Sequence, residues 1–467
     1  MKVLRDITPT AEQLTIIRND PQLCIIRGCL GCGKTSTAIF RLQFLISKWE
    51  RRRRTQNSEE PIRVLVLTFN KTLRGYIKEL VQGKVRTSGR VEVTLSTLAK
   101  WSQDAAGLLG RIDGERKTFV RMMSSGKFPQ GFRFLLEELE YVSGRFPEDQ
   151  LVDYIDCERA GRGLSPKCDK HFRHAFLNDI VYPYQKDKRR RNVYDWNDCC
   201  LALIKKPPTT KFDIIVCDEV QDFSANEMRA ILAAAHQDTN LTFVLDGAQR
   251  IYPKSFMWKE VELKPTAQNF HRLKQNFRNT REIATFIAPI FKKIDIGGDE
   301  GTLPNPTDCT EKGPQPIVLE GKYSKQLTWV KAHFLPKVDL ANESVAFLKP
   351  LGGNWFADIR KMLAQDKIDF VELTRQSEWP QSDANVALCT MHSAKGLEFD
   401  HVIILGLNSE VTPHGVDEGD ATYEVLARLF AMACGRARQS VVVGYKAEDA
   451  SSLIELLDPK TFNKINL

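Results

Sequence analysis

The stretch LCIIRGCLGCGKTSTAIFRLQFLISKW, residues 23–49, decides the fold class. Its first six residues, LCIIRG, are short and nearly all apolar, as a strand covered on both faces of its sheet must be. GCLGCGKT at 28–35 then satisfies G-x-x-x-x-G-K-[ST], and TSTAIFRLQFLISKW follows with apolar residues at helical spacing. Gly28, Gly31 and Gly33 let backbone N–H groups curl around a phosphate, and the helix N-terminus adds a positive dipole end. Lys34 is spaced to reach the β- and γ-phosphates, and Thr35 to place its hydroxyl on Mg²⁺. Strand, glycine loop and helix in this order predict an ATP site at the head of a parallel α/β sheet.

Similar runs continue outward. RVLVLTF (63–69), DIIVCD (213–218) and LTFVLD (241–246) read as strands of the first half. PIVLEG (316–321), SVAFLK (344–349), VALCTMH (386–392), HVIILGL (401–407) and SVVVGY (440–445) do so in the second. DIIVCD delivers Asp218 and then Glu219 at its C-terminal end, where open parallel sheets bind ligands. Asp218 suits a Mg²⁺ ligand acting through water, and Glu219 a base that polarises the attacking water. LTFVLD likewise delivers Asp246, with Gln249 three residues later. The predicted division is a first unit at 1–101 and 193–265, a helical insertion rich in Gly, Arg and aromatics at 102–192, and a second unit at 266–467.

The chain has 467 residues, with 67 Lys+Arg against 59 Asp+Glu, a net charge of +8. Hydrophobic residues at 42% and charged ones at 27% describe a globular protein with real cores. No apolar run approaches the ~20 residues that cross a bilayer, and MKVLRDITPTAEQ has no signal-peptide pattern. Eleven Cys without regular spacing fit a reducing compartment. The expectation is a cytoplasmic protein with no membrane partner. Two basic runs, Arg51–Arg54 and the cluster at 186–191, have the composition of phosphate contacts or of solvated faces. Cys157, Cys168, His171 and His174 lie close together, but their spacing matches no standard zinc site, so structural roles are expected. Cys32 reads as a Ser substitute in the phosphate loop, against a redox switch.

These elements together resemble the superfamily 1 helicases of the UvrD/Rep/PcrA type, and the match recurs in order. Gln13 in TPTAEQLTII resembles the adenine-reading motif. LVLTFNKTL (65–73) and VEVTLSTL (91–98) resemble two strand-contacting motifs, and YDWNDCCLALI (194–204) the segment preceding DEVQDF (218–223). LDGAQRIY (245–252) is similar to GDxxQxIY, and LKQNFRNTREI (273–283) to L-x-x-NYR with Phe277 in the Tyr place. CTMHSAKGLEFDHVIILG (389–406) and RLFAMACGRAR (428–438) complete the set.

The resemblance implies a fold of two RecA-like domains and a role for each matching residue. Gln13 reads adenine and Phe277 stacks on it; Glu398 contacts the ribose; Arg278 and Arg436 close on the γ-phosphate; Gln249 couples that phosphate to movement. Thr94, Ser96, Tyr252, Trp258, Thr390 and His392 contact the strand, Trp258 being the preferred stacking ring. Cys29 and Leu30 depart from the usual Gly-Ala pair, Ala431 from Tyr and Gly435 from Thr. Only 102 residues separate Ile283 from Val386, so the large second-domain insertion of long unwinders is expected to be absent or vestigial, and no nuclease module is expected after the last motif. The resemblance therefore implies an ATP- and Mg²⁺-dependent translocase on single-stranded DNA or a tailed duplex, 3′→5′, needing a partner or a homo-oligomer for processive unwinding. The alternatives are an ATP-gated sensor of DNA ends that regulates a partner nuclease, as in Gabija-type phage defence, and an RNA translocase.

Overall fold

The computed structural model describes residues 8–467 apart from 20, 30, 69–77, 79–89, 109, 160–165, 247–255, 295–302, 304, 350–354, 374–379, 381 and 412–420. Six strands form the first sheet: β1 (Leu23–Gly28), β2 (Ile62–Thr68), β3 (Val91–Thr97), β4 (Phe212–Cys217), β5 (Ala235–Leu245) and β6 (Phe270–Leu273). Their spatial order is β3-β2-β4-β5-β1-β6, and every pair is parallel. Within it, alternate residues face opposite layers. Cys24, Ile26, Val64, Val66, Ile214 and Val216 pack under helix α1 (Lys34–Thr55) through its buried Ile39, Leu42, Leu45 and Ile46. Ile25, Leu65, Leu67, Ile215, Cys217 and Phe243 face the other way, onto Met228 and Ile231 of the helix Ala225–Ala233. Each such side chain contributes ~1.5–3 kcal/mol by burial, so a two-sided apolar strand has one stable place, the middle of the sheet.

The second sheet has seven parallel strands: β7 (Ile317–Glu320), β8 (Val345–Lys349), β9 (Phe370–Glu372), β10 (Val386–Thr390), β11 (Phe399–Ile404), β12 (Ala437–Tyr445) and β13 (Asn463–Asn466). Their order is β9-β10-β8-β11-β12-β7-β13. Both sheets are covered by helices, an α/β architecture of two RecA-like sheets. Among the described residues, the stretch from Ile283 to Val386 supplies three of these strands and helices packed on them. The short segment Asn276–Thr280 pairs with Cys309–Glu311 between the two sheets.

All nine apolar runs expected as strands fall on strands. The four edge strands β3, β6, β9 and β13 do not announce themselves, because an edge is half solvated and its residues, such as FHRL and NKIN, stay polar. The first sheet therefore runs to Leu273, beyond the expected boundary at 265.

Residues 102–192 are mainly helical. Phe119, Phe134, Leu139, Phe172, Phe176 and Tyr184 form a separate core there, with Phe172 and Phe176 stacked at 5.5 Å. This layer docks on the first sheet's helices: Asn226 Nδ2 donates to the carbonyls of Ser143 (3.1 Å) and Phe146 (3.2 Å), and Arg145 pairs with Glu260.

Candidate nucleotide site and nucleic-acid interface

The order β4-β5-β1 brings three strand ends side by side: Asp218 after β4, Asp246 after β5 and the glycine loop after β1. Gly31 (φ +83°) and Gly33 (φ +78°) both adopt left-handed backbone, where a side chain is strained. A Cβ on Gly31 would also lie 2.7 Å from the Cβ of Arg278. Lys34 Nζ donates to the carbonyls of Gly28 (2.8 Å) and Cys29 (2.9 Å) and to Asp246 Oδ2 (2.8 Å). Burial opposes its charge, but Asp246 outweighs burial and holds the ammonium above the ordinary lysine range.

Thr35 Oγ1 donates to Asp218 Oδ2 at 2.7 Å. A hydroxyl and a carboxylate at this separation are hard oxygen donors, and Mg²⁺ takes few protein ligands because it keeps waters and phosphate oxygens; Thr35 and Asp218 fit it. Burial and the neighbouring Glu219 push the Asp218 carboxyl up to about 7. Glu219 moves the other way. Burial would raise it, but Lys395, Arg436 and Lys34 hold it below the usual range. Its φ of +58° is strained for a non-glycine residue, and it aims the carboxylate at the space beside the loop. Gln221 fixes that orientation, donating through Nε2 to Glu219 and accepting the Asp246 N–H at 3.0 Å.

From the second sheet come Lys395, Glu398 and Arg436. Lys395 is 1% exposed, lies 3.3 Å from Glu219 Oε2 and pairs with Asp222. Arg278, on the segment between the sheets, pairs with Glu398, and Arg438 Nη2 reaches the other Glu398 oxygen at 2.5 Å. Burial works against Glu398, but the two arginines hold its carboxyl down to about 2. Arg436 is buried, and burial with Arg278 lowers its guanidinium to about 10. Asn279 ties this side down by donating to the carbonyls of Gly435 (3.0 Å) and Ala437 (2.6 Å). One cleft is thus lined by Gly31, Lys34 and Glu219 on one side and by Gly396, Glu398 and Arg436 on the other.

Gln13 lies under the loop. Its Oε1 accepts the Thr10 N–H (3.0 Å) in a capping box, and its Nε2 donates to the Cys32 carbonyl (3.3 Å). Phe277 hangs on the loop by donating its N–H to Gly31 O (3.2 Å) and leaves its ring 39% exposed at the rim. The parts played by Lys395, Gln221, Asn279 and Arg438 emerge only from the fold. For Lys395 the one hint in the sequence is a cation in the run AKGLEF, three residues before Glu398.

The expected strand contacts divide. On edge strand β3, Thr94 is exposed, and Ser96 on the same face is buried. Thr390 turns inward to donate to Ser393 Oγ (2.9 Å). His392 is driven down to about 4 by burial, with Arg133 of the insertion and Lys395 adding to it, so it is neutral at physiological pH. Trp258 stacks on Phe243 (6.0 Å, 28°) and meets Phe256 and Phe270 edge-on, so its partly buried ring packs at the margin of the first core. Gln249 and Tyr252 lie outside the described residues.

Both basic runs are largely tied to acids. Arg52 pairs with Asp238 (2.6 Å) and Arg53 with Asp213 (3.1 Å). Lys188 is buried between Asp195 (2.8 Å) and Asp198 (2.6 Å), Arg189 pairs with Glu148, Arg190 with Asp187 (2.7 Å), and Arg191 with Asp113 (3.0 Å). The second cluster therefore orders its own layer. Among the described residues no group of three His, Cys, Asp or Glu is arranged for a metal; Cys157 instead lies beside the Arg173 guanidinium, which also donates to its carbonyl (2.7 Å). Nor is any described helix long and apolar enough to cross a membrane.

Comparison with known proteins agrees with this geometry. Residues 10–259 match the UvrD/REP helicase N-terminal domain, and residues 355–448 the UvrD-like helicase C-terminal domain. Similar curated proteins include the exonuclease/helicase subunit RexA of Lactococcus lactis subsp. cremoris (strain MG1363). It is 23% identical over 236 residues, which are 46% of this chain and 19% of that protein. A subunit of the ATP-dependent helicase/nuclease of Lactococcus lactis subsp. lactis (strain IL1403) is 24% identical over 183 residues, 34% of this chain and 15% of that one. The chain thus spans less than a fifth of the length of the curated relatives it matches. Among solved structures, the C-terminal domain of a possible DNA helicase from Lactobacillus plantarum WCFS1 is 17% identical, with a TM-score of 0.26, covering 40% of this chain and 98% of that one. With its N-terminal domain matched over more than half its length, the chain belongs to the UvrD/REP helicase family.

Proposed function

We propose that this chain is an ATP-driven motor that moves 3′→5′ along single-stranded DNA, its two sheets gripping the strand alternately. The observation that carries the reading is the cleft itself: Lys34, Thr35, Asp218 and Glu219 of one sheet face Glu398 and Arg436 of the other, with Arg278 between. In this reading 8–101 with 193–273 form the ATP-binding unit, 102–192 an inserted layer, and 274–467 the second unit.

Each residue has a chemical part. Gln13 and the exposed Phe277 ring hold the adenine, and Glu398 meets the ribose. Gly28, Gly31 and Gly33 leave room for phosphate against the backbone, and Lys34 supplies its counter-charge. Thr35 and Asp218 would hold Mg²⁺, which neutralises phosphate charge. Glu219, kept ionised by Lys395 and Arg436, takes a proton from the attacking water. Arg278 and Arg436 stabilise the charge that develops on the transferred group, a contribution of ~10³–10⁵ in rate. Because those guanidiniums must be in place, hydrolysis follows closure. Gln249 reports the γ-phosphate to the strand-binding surface, where Thr94, Ser96, Tyr252, Thr390 and His392 contact the strand.

With the cluster at 186–191 engaged in ion pairs, the described residues offer little to hold a duplex ahead of the motor, and each base-pair step resists by ~1.4 kcal/mol. Processive unwinding then calls for a partner, and relatives that are helicase/nuclease subunits favour a partner nuclease over a homo-oligomer. The deciding experiment is ATPase stimulation by single-stranded DNA, duplex DNA and RNA, together with displacement of streptavidin from either end of a biotinylated strand. Stimulation by DNA without displacement would replace the motor by an ATP-gated sensor. Stimulation by RNA alone would make the substrate RNA.

A further inference from the structure

We propose that Cys29 and Cys32 form a reversible disulfide that switches off nucleotide binding, making the phosphate loop an oxidant-responsive site. This rests on the reading of the loop as the ATP site. The spacing C-x-x-C lies directly before the N-terminus of α1, an arrangement in which vicinal thiols exchange readily. None of the eleven cysteines is in a disulfide, but this pair differs from the rest in geometry. Both thiols are buried at the same end of β6: Cys29 Sγ lies 3.7 Å from the Lys274 carbonyl, and Cys32 Sγ and the Leu273 carbonyl crowd the same side of Gly28. Gly28 has no room for a Cβ, since Cys32 Sγ and the Leu273 carbonyl fill that space. The Cys32 thiol is therefore held in one position, against the end of β1.

Their charges assign separate roles. Burial would raise the Cys32 thiol, but the hydrogen bond with Cys29 and the nearby Lys34 and Arg278 bring it below the ordinary thiol range. Cys29 is raised by the same hydrogen bond and by burial. Cys389 and Cys434 are buried as well but have no cation beside them among the described residues, and burial alone pushes their thiols up. Cys32 is thus the attacking thiolate and Cys29 the resolving thiol.

With hydrogen peroxide as oxidant the step balances. The Cys32 thiolate attacks one peroxide oxygen, the O–O bond breaks, and the departing hydroxide takes a proton to become water, leaving a sulfenic acid. Cys29 sulfur then attacks the Cys32 sulfur, an S–S bond forms, and the sulfenic oxygen leaves as a second water. Two thiols have lost two electrons and two protons. The Cys29 carbonyl accepts both from Lys34 (2.9 Å) and from the Cys32 N–H (3.5 Å). Drawing the sulfurs to ~2.05 Å moves this carbonyl and tightens the loop from which phosphate must be reached.

The test uses the full chain, titrated with hydrogen peroxide with and without Mg·ATP, then alkylated, digested and weighed. The peptide holding residues 29–32 should lose the mass of two hydrogens, and bound ATP should slow that loss. Affinity for a fluorescent ATP analogue should fall by about tenfold or more and return with dithiothreitol. In Cys29→Ser the reaction should stop at a Cys32 sulfenic acid that dimedone captures. Free thiols at 29 and 32 under conditions that oxidise Cys157 would overturn the proposal, as would a disulfide that leaves affinity unchanged. If the reduced chain binds no ATP analogue, the reading of the loop as an ATP site fails, and the mass signature still reports on the dithiol.

Discussion

Replacing Lys395 with Ala removes one ammonium that two buried carboxylates share. Lys395 is 1% exposed, Asp222 is fully buried and Glu219 is 10% exposed. Both acids follow β4 of the first sheet, while Lys395 follows β10 of the second, so the pair spans the cleft. Deleting one member of a buried ion pair leaves its partner uncompensated and costs about 3–5 kcal/mol; with two partners stranded, the upper part of that range applies. The pH dependence has a definite sign. In the parent, Glu219 is held below its ordinary value of 4.5, so its contribution is present above that pH and lost as pH falls. Without Lys395 burial is opposed less, the carboxyl rises, and the variant suffers most near neutral pH. Parent and variant should therefore differ most in urea unfolding near pH 7 and converge in the acid range. Asp222→Asn removes one stranded charge, so the double variant should be less destabilised than the sum of the singles, by ~0.5–3 kcal/mol. Additive singles, or a Lys395→Ala midpoint equal to the parent's, would refute the idea that this contact crosses the cleft.

Four other variants have expected outcomes. Lys34→Ala should lose nucleotide binding and turnover together, whereas Glu219→Gln should still bind ATP in equilibrium titrations but stall in phosphate release assays. Trp258→Ala should lower stability by about 2 kcal/mol, less than the roughly 3–5 of a fully buried ring, and leave oligonucleotide affinity in filter binding nearly unchanged. Glu398, held down to about 2 by two arginines that outweigh its burial, contributes stability above its ordinary 4.5 that disappears as pH falls towards 2; Glu398→Gln should flatten that acid limb in thermal melts.

Much of the fold was legible because its central strands are apolar on both faces, and residues 23–49 carry strand, turn and helix in one unbroken signal. The features that stayed hidden share a cause: dependence on contacts distant in sequence. The edge strands are polar because one side meets water, and only the register with β1, β2, β7 and β10 makes them strands. Composition left the basic runs open between phosphate contacts and solvated faces, because most of their acids lie elsewhere in the chain, Asp213 and Asp238 for one, Glu148, Asp113 and Asp195 for the other. Trp258 sits where a stacking ring would sit in a motif, but Phe243 and Phe270, its real partners, arrive from β5 and β6. Glu219 and Lys34 were readable from local pattern; Lys395, which sets Glu219's charge, was not.

The same dependence bears on coupling. Arg278 neutralises Glu398, Lys395 neutralises Asp222 and Glu219, and Lys34 neutralises Asp246. Each of these three cations thus already has a carboxylate, and removing such groups from water is tolerable only while the pairs hold. In the proposed reading a triphosphate entering the loop would compete for Lys34 and for Arg278, and binding would proceed by exchange of partners. The exchange at Lys34 would leave Asp246 with one cation fewer, whereas Glu398 keeps Arg438 at 2.5 Å. Lys395 meanwhile keeps the two sides in contact. On the proposed reading as a motor, the arrangement of charge around the nucleotide and the separation of the two sheets would change together, as turning hydrolysis into movement requires.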